Sequence, residues 1–263
     1  MRSEVLLVAN KFSLLGRTEY KLTDNLIVHI PTVGEIRNSI EDEIGYYNLV
    51  SLFIKTPCDA MIELDDMGLD YTQVREYDLF MMLFNGLMTE KEKLDRRYWK
   101  MIFPYLDIND LKGIYIKDTD EIVFVDRKNN IVIDKKIYMQ LSDLLRQIVS
   151  VDKNMEYYKV PEIETRRYII DRQRIKRQRA LERELKNGSK TSSPLDGVLL
   201  LLINNCNFKY NFETVKSITL YDLHACLKQI YSDREIDGLM SGYWAGNVDL
   251  KKIDSSKLNR IIL

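Results

Sequence analysis

The hydrophobic residues of this chain keep one period, switch to a second and then return to the first, and that switch limits the possible folds more than any other feature. From Ile36 to Met88 they recur every three or four positions. Ile36, Ile40, Ile44 and Tyr47 form one such series, and Val74, Tyr77, Met81, Phe84 and Met88 form another. Between 114 and 133 the pattern becomes three short β-rich runs, Ile114 to Ile116, Ile122 to Val125 and Ile131 to Ile133. Asp118-Thr119-Asp120 and Lys128-Asn129-Asn130 separate them, which predicts a small antiparallel meander. The helical period resumes after Asp134 with Ile137, Leu141, Leu144, Leu145 and Ile148, the cleanest amphipathic stripe in the sequence. A chain with both periods in separate blocks belongs to the α+β class, here mainly α.

Local signals fill in the rest. Residues 11–30 predict a β-rich start, with Leu26, Val28 and Ile30 alternating and Thr23-Asp24-Asn25 supplying turn chemistry. Thr32 with Glu35 forms a capping box and opens a helix. Thr56-Pro57 opens a shorter one that Gly68 stops, and Asp70 is placed to cap the next. Residues 90–103 predict another helix, up to Pro104. Pro194 begins a helix through Leu202, and Thr219 with Asp222 caps one carrying Leu220, Leu223, Leu227 and Ile230. Shorter helices are expected over 233–241 and 254–262. Residues 152–192 lose apolar content and gain charge, and Gly188 to Pro194 is flexible by composition. The expected organisation is an N-terminal α+β domain over 1–151, a charged helical connector and flexible linker over 152–193, and a C-terminal helical domain over 194–263.

Charge excludes some partners. Thirty-nine basic residues nearly cancel 40 acidic ones, so a net charge of −1 gives no global attraction to a polyanion or a membrane surface. The longest aliphatic run, Val198 to Ile203, is far short of the ~20 residues that span a bilayer. The first ten residues lack the apolar core of a signal peptide. Cys58, Cys206 and Cys226 are odd in number and dispersed, which fits reduced thiols. A soluble, intracellular protein without cofactor is expected.

No catalytic or metal-binding set is legible. Asp59, Glu63 and Asp66 can share one helix face near Asp65 and Asp70, and clustered carboxylates can hold a hard cation. The spacing of a calcium loop is absent, and a solvated acidic face explains the run equally well. His224, Cys226 and Cys206 give three potential zinc ligands where a structural site needs four, without a Cys-x-x-Cys pair. Three other features suggest contact surfaces. Arg166, Arg167, Arg172, Arg174, Lys176, Arg177, Arg179, Arg183 and Lys186 lie in one stretch without Gly or Pro, so a basic helix is expected. Its apolar residues, Ile169, Ile170, Ile175, Leu181 and Leu185, form no single stripe, which argues against deep packing. A solvated connector, a protein-binding arm and a nucleic-acid contact are the three readings, in that order. Phe80, Met81, Phe84 and Met88 on one helix either line an adaptable groove or form core, with core favoured. Tyr243 and Trp244, between Gly242 and Gly246, either anchor an interface or close a small helical core, with core slightly favoured.

Several segments together carry a family resemblance. Tyr20-Lys21-Leu22 to Ile30-Pro31, Leu64-Asp65-Asp66-Met67-Gly68-Leu69-Asp70 and Tyr77-Asp78-Leu79-Phe80-Met81-Met82-Leu83-Phe84 supply its N-terminal part. Phe208-Lys209-Tyr210, Leu220-Tyr221-Asp222-Leu223, Gly242-Tyr243-Trp244-Ala245-Gly246 and Asp249-Leu250-Lys251-Lys252-Ile253 supply the C-terminal part. With these the chain resembles bacteriophage tail-assembly chaperones and the related baseplate-hub assembly proteins. The resemblance implies a non-enzymatic role in tail morphogenesis through contacts with tape-measure, tube or baseplate subunits. It places the protein in the host cytoplasm during assembly, or in the virion if it is a structural subunit of neck, tail or baseplate. The meander and the Arg-rich helix depart from the simplest all-helical chaperones.

Overall fold

A computed structural model describes residues 14–90, 92, 94–117, 121–157, 160, 162–186 and 193–254. The extreme N-terminal segment, the Asp118-Thr119-Asp120 turn, the 188–192 stretch and the expected 254–262 helix, save its first residue, lie outside them.

Capping chemistry sets most boundaries. A hairpin of β1 (Glu19–Lys21) and β2 (Ile27–His29) is turned by Thr23, whose hydroxyl accepts from the Leu26 N–H at 3.0 Å. The Thr32–Glu35 capping box forms and begins α1 (Val33–Ile36). That helix stops after one turn because Ser39 offers a new cap, accepting from the Asp42 N–H, and starts α2 (Ile40–Ile54). The buried side of α2 comprises Asp42, Glu43, Tyr46, Leu49, Val50 and Phe53, while Ile44 is exposed. The helix is apolar on most sides, so period alone did not select the face. Thr56 and Asp59 bond reciprocally and form a turn before α3 (Met61–Asp66), which therefore starts later than Thr56-Pro57 suggests. Gly68 ends it in the left-handed region at φ +74°. Asp70 holds a turn through the Thr72 N–H and does not cap α4 (Glu76–Thr89). Asp95 caps α5 (Arg96–Ile102).

The meander forms as expected. Strands β3 (Leu111–Ile116), β4 (Glu121–Asp126) and β5 (Ile131–Ile133) pair antiparallel in sequence order. Fully buried Asp126 holds the β4–β5 turn by accepting from Lys128 and Asn129 N–H groups. Asp134 then caps α6 (Lys135–Val149), whose stripe Leu141, Leu144, Leu145 and Ile148 is fully buried. Around it lies an aromatic core in which the Phe80 and Tyr138 rings stack at 4.2 Å, and Phe84 meets Phe124 edge-on at 4.5 Å. Buried Trp99 donates to the Leu106 carbonyl at 2.7 Å.

After α7 (Ile163–Lys186), helices α8 (Pro194–Ile203) and α9 (Leu220–Trp244) return to this core. The expected helices within 219–241 are one helix of 25 residues, since Tyr231-Ser232-Asp233 contains no breaker. The division into separate N- and C-terminal domains needs correction as well. Leu195, Leu199, Leu202, Leu220, Leu223 and Ile230 belong to the same buried cluster as α2, α4 and α6. The Val33 N–H donates to the Ile218 carbonyl at 2.9 Å and the Leu220 N–H to the Pro31 carbonyl at 2.8 Å. Buried Glu43 accepts from the Leu195 N–H at 3.1 Å and from the Ser193 hydroxyl, so a carboxylate of α2 caps α8.

Candidate functional site

The basic stretch is one helix, α7, of 24 residues, and it has two chemically different sides. Arg166, Ile170, Arg174 and Arg177 are spaced by four, four and three residues, so they share a face. That face docks on α3. Ile170 is buried with Met61, Leu64, Tyr71 and Val74 in a second hydrophobic cluster, and half-buried Ile169 packs beside them. The acidic run lies around this apolar centre. Arg166 bonds Asp70 and donates to the Thr72 hydroxyl at 2.7 Å. Arg174 reaches Asp65 at 2.9 Å and also Asp66, and Arg177 reaches Glu63 at 3.1 Å.

These contacts set the protonation of the carboxylates. Burial alone would raise the Glu63 pKa, but backbone hydrogen bonding, Lys55 and Arg177 outweigh it and hold the group below the usual range. Asp70 is lowered in the same way: partial burial opposes ionisation, and Thr72 and Arg166 overcome it. The two charge features of the sequence are thus partners of each other. The solvated-connector reading needs correction over this part of α7, because Ile170 supplies a buried anchor within an otherwise polar helix.

Among the described residues, the opposite side of α7 has no ion-pair partner. Tyr168, Arg172, Ile175, Arg179 and Arg183 follow at intervals of four, three, four and four residues and therefore also share a face. With Tyr157, Ile169, Gln173, Lys176 and Ala180 they border an open groove of about 690 Å³. The Arg172 guanidinium lies over the Tyr168 ring, 5.7 Å from its centre. The Tyr157 hydroxyl is raised in pKa, first by its hydrogen bond to Glu156 and then by burial, with Arg172 opposing. Among the described residues, the α7 ion pairs involve Arg166, Arg174 and Arg177, and none involves Arg172, Lys176, Arg179 or Arg183. Tyr168 and Ile175 are 60% and 49% exposed, so the face combines positive charge with uncovered apolar surface.

The sequence candidates are therefore redistributed. Of the five basic residues singled out, Arg172, Lys176 and Arg179 line the groove, whereas Arg174 and Arg177 are engaged within the chain. Tyr168 is absent from a reading by charge, and only its spacing to Arg172, Ile175 and Arg179 reveals it. Tyr157 has no sequence signal, because the fold brings it there from the preceding loop. Phe80, Met81 and Phe84 are buried in the main core and Met88 packs against it, so an exposed groove of these residues is ruled out. The reason is that α4 lies beneath the meander and α6, with the Tyr77 hydroxyl donating to the Ile122 carbonyl at 2.7 Å.

Tyr243 and Trp244 are 47% and 75% exposed at the end of α9, which corrects the core reading. The chain reverses there through Gly246 at φ +76°, and a Cβ on Gly242 would meet Val248 at 2.6 Å. This close turn leaves the two rings outside. His224 is mostly buried with Nε2 unpartnered, and burial followed by the Lys228 charge lowers its pKa to about 4. Cys226 is half-buried with a raised pKa and Cys206 is exposed. Among the described residues no cluster of three or more His, Cys, Asp or Glu side chains is arranged to hold a metal ion. No helix among them is long and apolar enough to cross a membrane.

Comparison with known proteins returns no match: no family model fits the chain, and neither a curated protein nor a solved structure is significantly similar to it.

Proposed function

We propose that this chain is a non-enzymatic assembly protein of the bacteriophage tail, working through protein–protein contacts, with the outer face of α7 as its principal contact surface. One observation carries the reading. A helix whose inner side pairs its arginines with carboxylates and buries Ile170 presents, on its outer side, four cations without an ion-pair partner among the described residues, beside the exposed Tyr168 and Ile175. Arg and Tyr in such a setting are the residue types that most often anchor interfaces. Under this reading the partner is a tape-measure, tube or baseplate subunit. The tail assignment is supported by the sequence resemblance, and the contact mode by the geometry of α7.

The test is capture of tail subunits from infected cells by the tagged full chain, with the captured proteins identified by mass spectrometry. Recovery of a tail subunit by the wild-type chain and its loss with Arg172→Glu/Arg179→Glu is the expected result. Absence of every tail subunit overturns the assignment. Mass spectrometry of purified virions separates a transient chaperone from a retained neck, tail or baseplate component.

A second reading, contact with nucleic acid, is favoured by the Arg172–Tyr168 pair beside Tyr157, because bases stack on such rings. It predicts binding that weakens steeply with salt.

A further inference from the structure

We infer that the groove on the outer face of α7 receives an acidic amphipathic helix of a partner protein, an inference that rests on the protein-contact reading above and specifies its chemistry. The helix already shows how it recognises such a ligand. On its inner side an apolar anchor, Ile170, enters a cluster with Met61 and Leu64 of α3. The flanking Arg174 and Arg177 take Asp65, Asp66 and Glu63 from the same short acidic helix. The outer side offers the same elements: Ile175 lies midway along its length, Tyr168 at one end, and Arg172, Lys176, Arg179 and Arg183 line the groove with them. Charge complementarity therefore calls for carboxylates, and exposed Ile175 and Tyr168 call for an apolar stripe between those carboxylates.

A nucleic-acid backbone would satisfy only the first requirement. It would leave Ile175 uncovered, and the whole chain, at a net charge of −1, supplies no long-range field to attract it. The reach of the face sets the ligand length. From Tyr168 to Arg183 the helix rises roughly 22 Å, so the occupant is a helix of about four turns.

The experiment titrates the full chain against a labelled synthetic helix of about 18 residues, with Leu at three- and four-residue spacing and Glu elsewhere. A matched helix with Gln for Glu serves as the charge control. Single-stranded and duplex DNA of about 20 nucleotides are the rival ligands. The Glu helix is expected to bind at least about tenfold more tightly than the Gln helix and to lose about tenfold on Arg172→Glu/Arg179→Glu. A second variant, Lys176→Glu/Arg183→Glu, is expected to act in the same direction. Arg174→Ala/Arg177→Ala is expected to stay within about threefold, because those side chains face α3. Circular dichroism and thermal midpoints establish that each variant is folded.

The inference is overturned if the Glu helix does not bind, if both outer-face variants bind it as well as the wild type, or if DNA binds more tightly with a steep salt slope. If a tail subunit is captured equally by wild type and Arg172→Glu/Arg179→Glu, the tail assignment stands and this inference fails. If the acidic helix binds as expected and no tail subunit is captured, the tail assignment fails and the docking chemistry stands.

Discussion

Replacing Ile170 by Ala should release α7 from α3, whereas replacing Arg174 by Ala should barely loosen it. Ile170 is 6% exposed and is the buried residue that α7 contributes to the second cluster. Truncating a buried Ile to Ala costs about 2–5 kcal/mol. A value near 2 is expected here, because the site is contacted on one side only and can partly collapse. The ionic contacts are individually weaker. Arg174 and its partner Asp65 have side chains 38% and 41% exposed, and Arg177 and Glu63 are 59% and 39% exposed. Such pairs contribute about 0.3–0.5 kcal/mol each, and salt screens them further.

Native-state hydrogen exchange separates the two contributions, because a helix anchored outside the main core by one buried residue is expected to open below the global unfolding free energy. In Ile170→Ala, amides over 168–177 should lose about 30-fold in protection, the equivalent of about 2 kcal/mol, while those of α6 stay unchanged. In Arg174→Ala, which removes the Asp65 and Asp66 contacts together, the loss should be about three- to fivefold, and roughly 1 M salt should abolish the difference from wild type. Equal effects of the two substitutions would refute the view that Ile170 anchors the helix. Parallel loss of protection in α6 would refute the view that α7 is a separable element.

Three further outcomes test the core. The His224 pKa is lowered from 6.5 to about 4, so the unfolded state binds the proton more tightly. The stability it contributes is complete above pH 6.5 and is lost as pH falls toward 4, by at most about 3 kcal/mol, and His224→Phe should flatten that acid limb in denaturant titrations. Glu43→Ala removes the acceptor for the Ser193 hydroxyl and the Leu195 N–H and should cost about 3 kcal/mol of unfolding free energy, with exchange increasing first in α8. Gly45→Ala places a Cβ 2.3 Å from the Tyr98 ring, which must move away from its hydrogen bond to Glu41, and calorimetry should register a loss of about 1–3 kcal/mol.

Local chemistry was legible in the sequence at most positions where a side chain acts on its own neighbours, though not at Asp70 or Thr56, whose side chains hold turns rather than start helices. The Thr32–Glu35 box, the Thr219 cap, the Gly68 stop, the meander and the α6 stripe all depend on interactions within a few residues. The reading failed where a competing local cap intervened, as at Ser39, and where a helix is apolar on most sides, as in α2. For the candidate site, the basic helix was legible because its composition excludes breakers. Which of its arginines are available was not, since consecutive charges look alike in a linear run until one helix face is occupied.

The α+β class, the Thr23-Asp24-Asn25 and Lys128-Asn129-Asn130 turns and a helix over the Arg-rich stretch were legible in the sequence, because periodicity and capping are short-range effects. Tertiary structure alone decided that Asp65, Asp66, Asp70 and Glu63 neutralise Arg166, Arg174 and Arg177, that Phe80 and Phe84 are core, and that residues beyond 193 share that core. Those outcomes depend on which surfaces meet across about a hundred residues of chain, and burial and ion pairing are fixed only when they do.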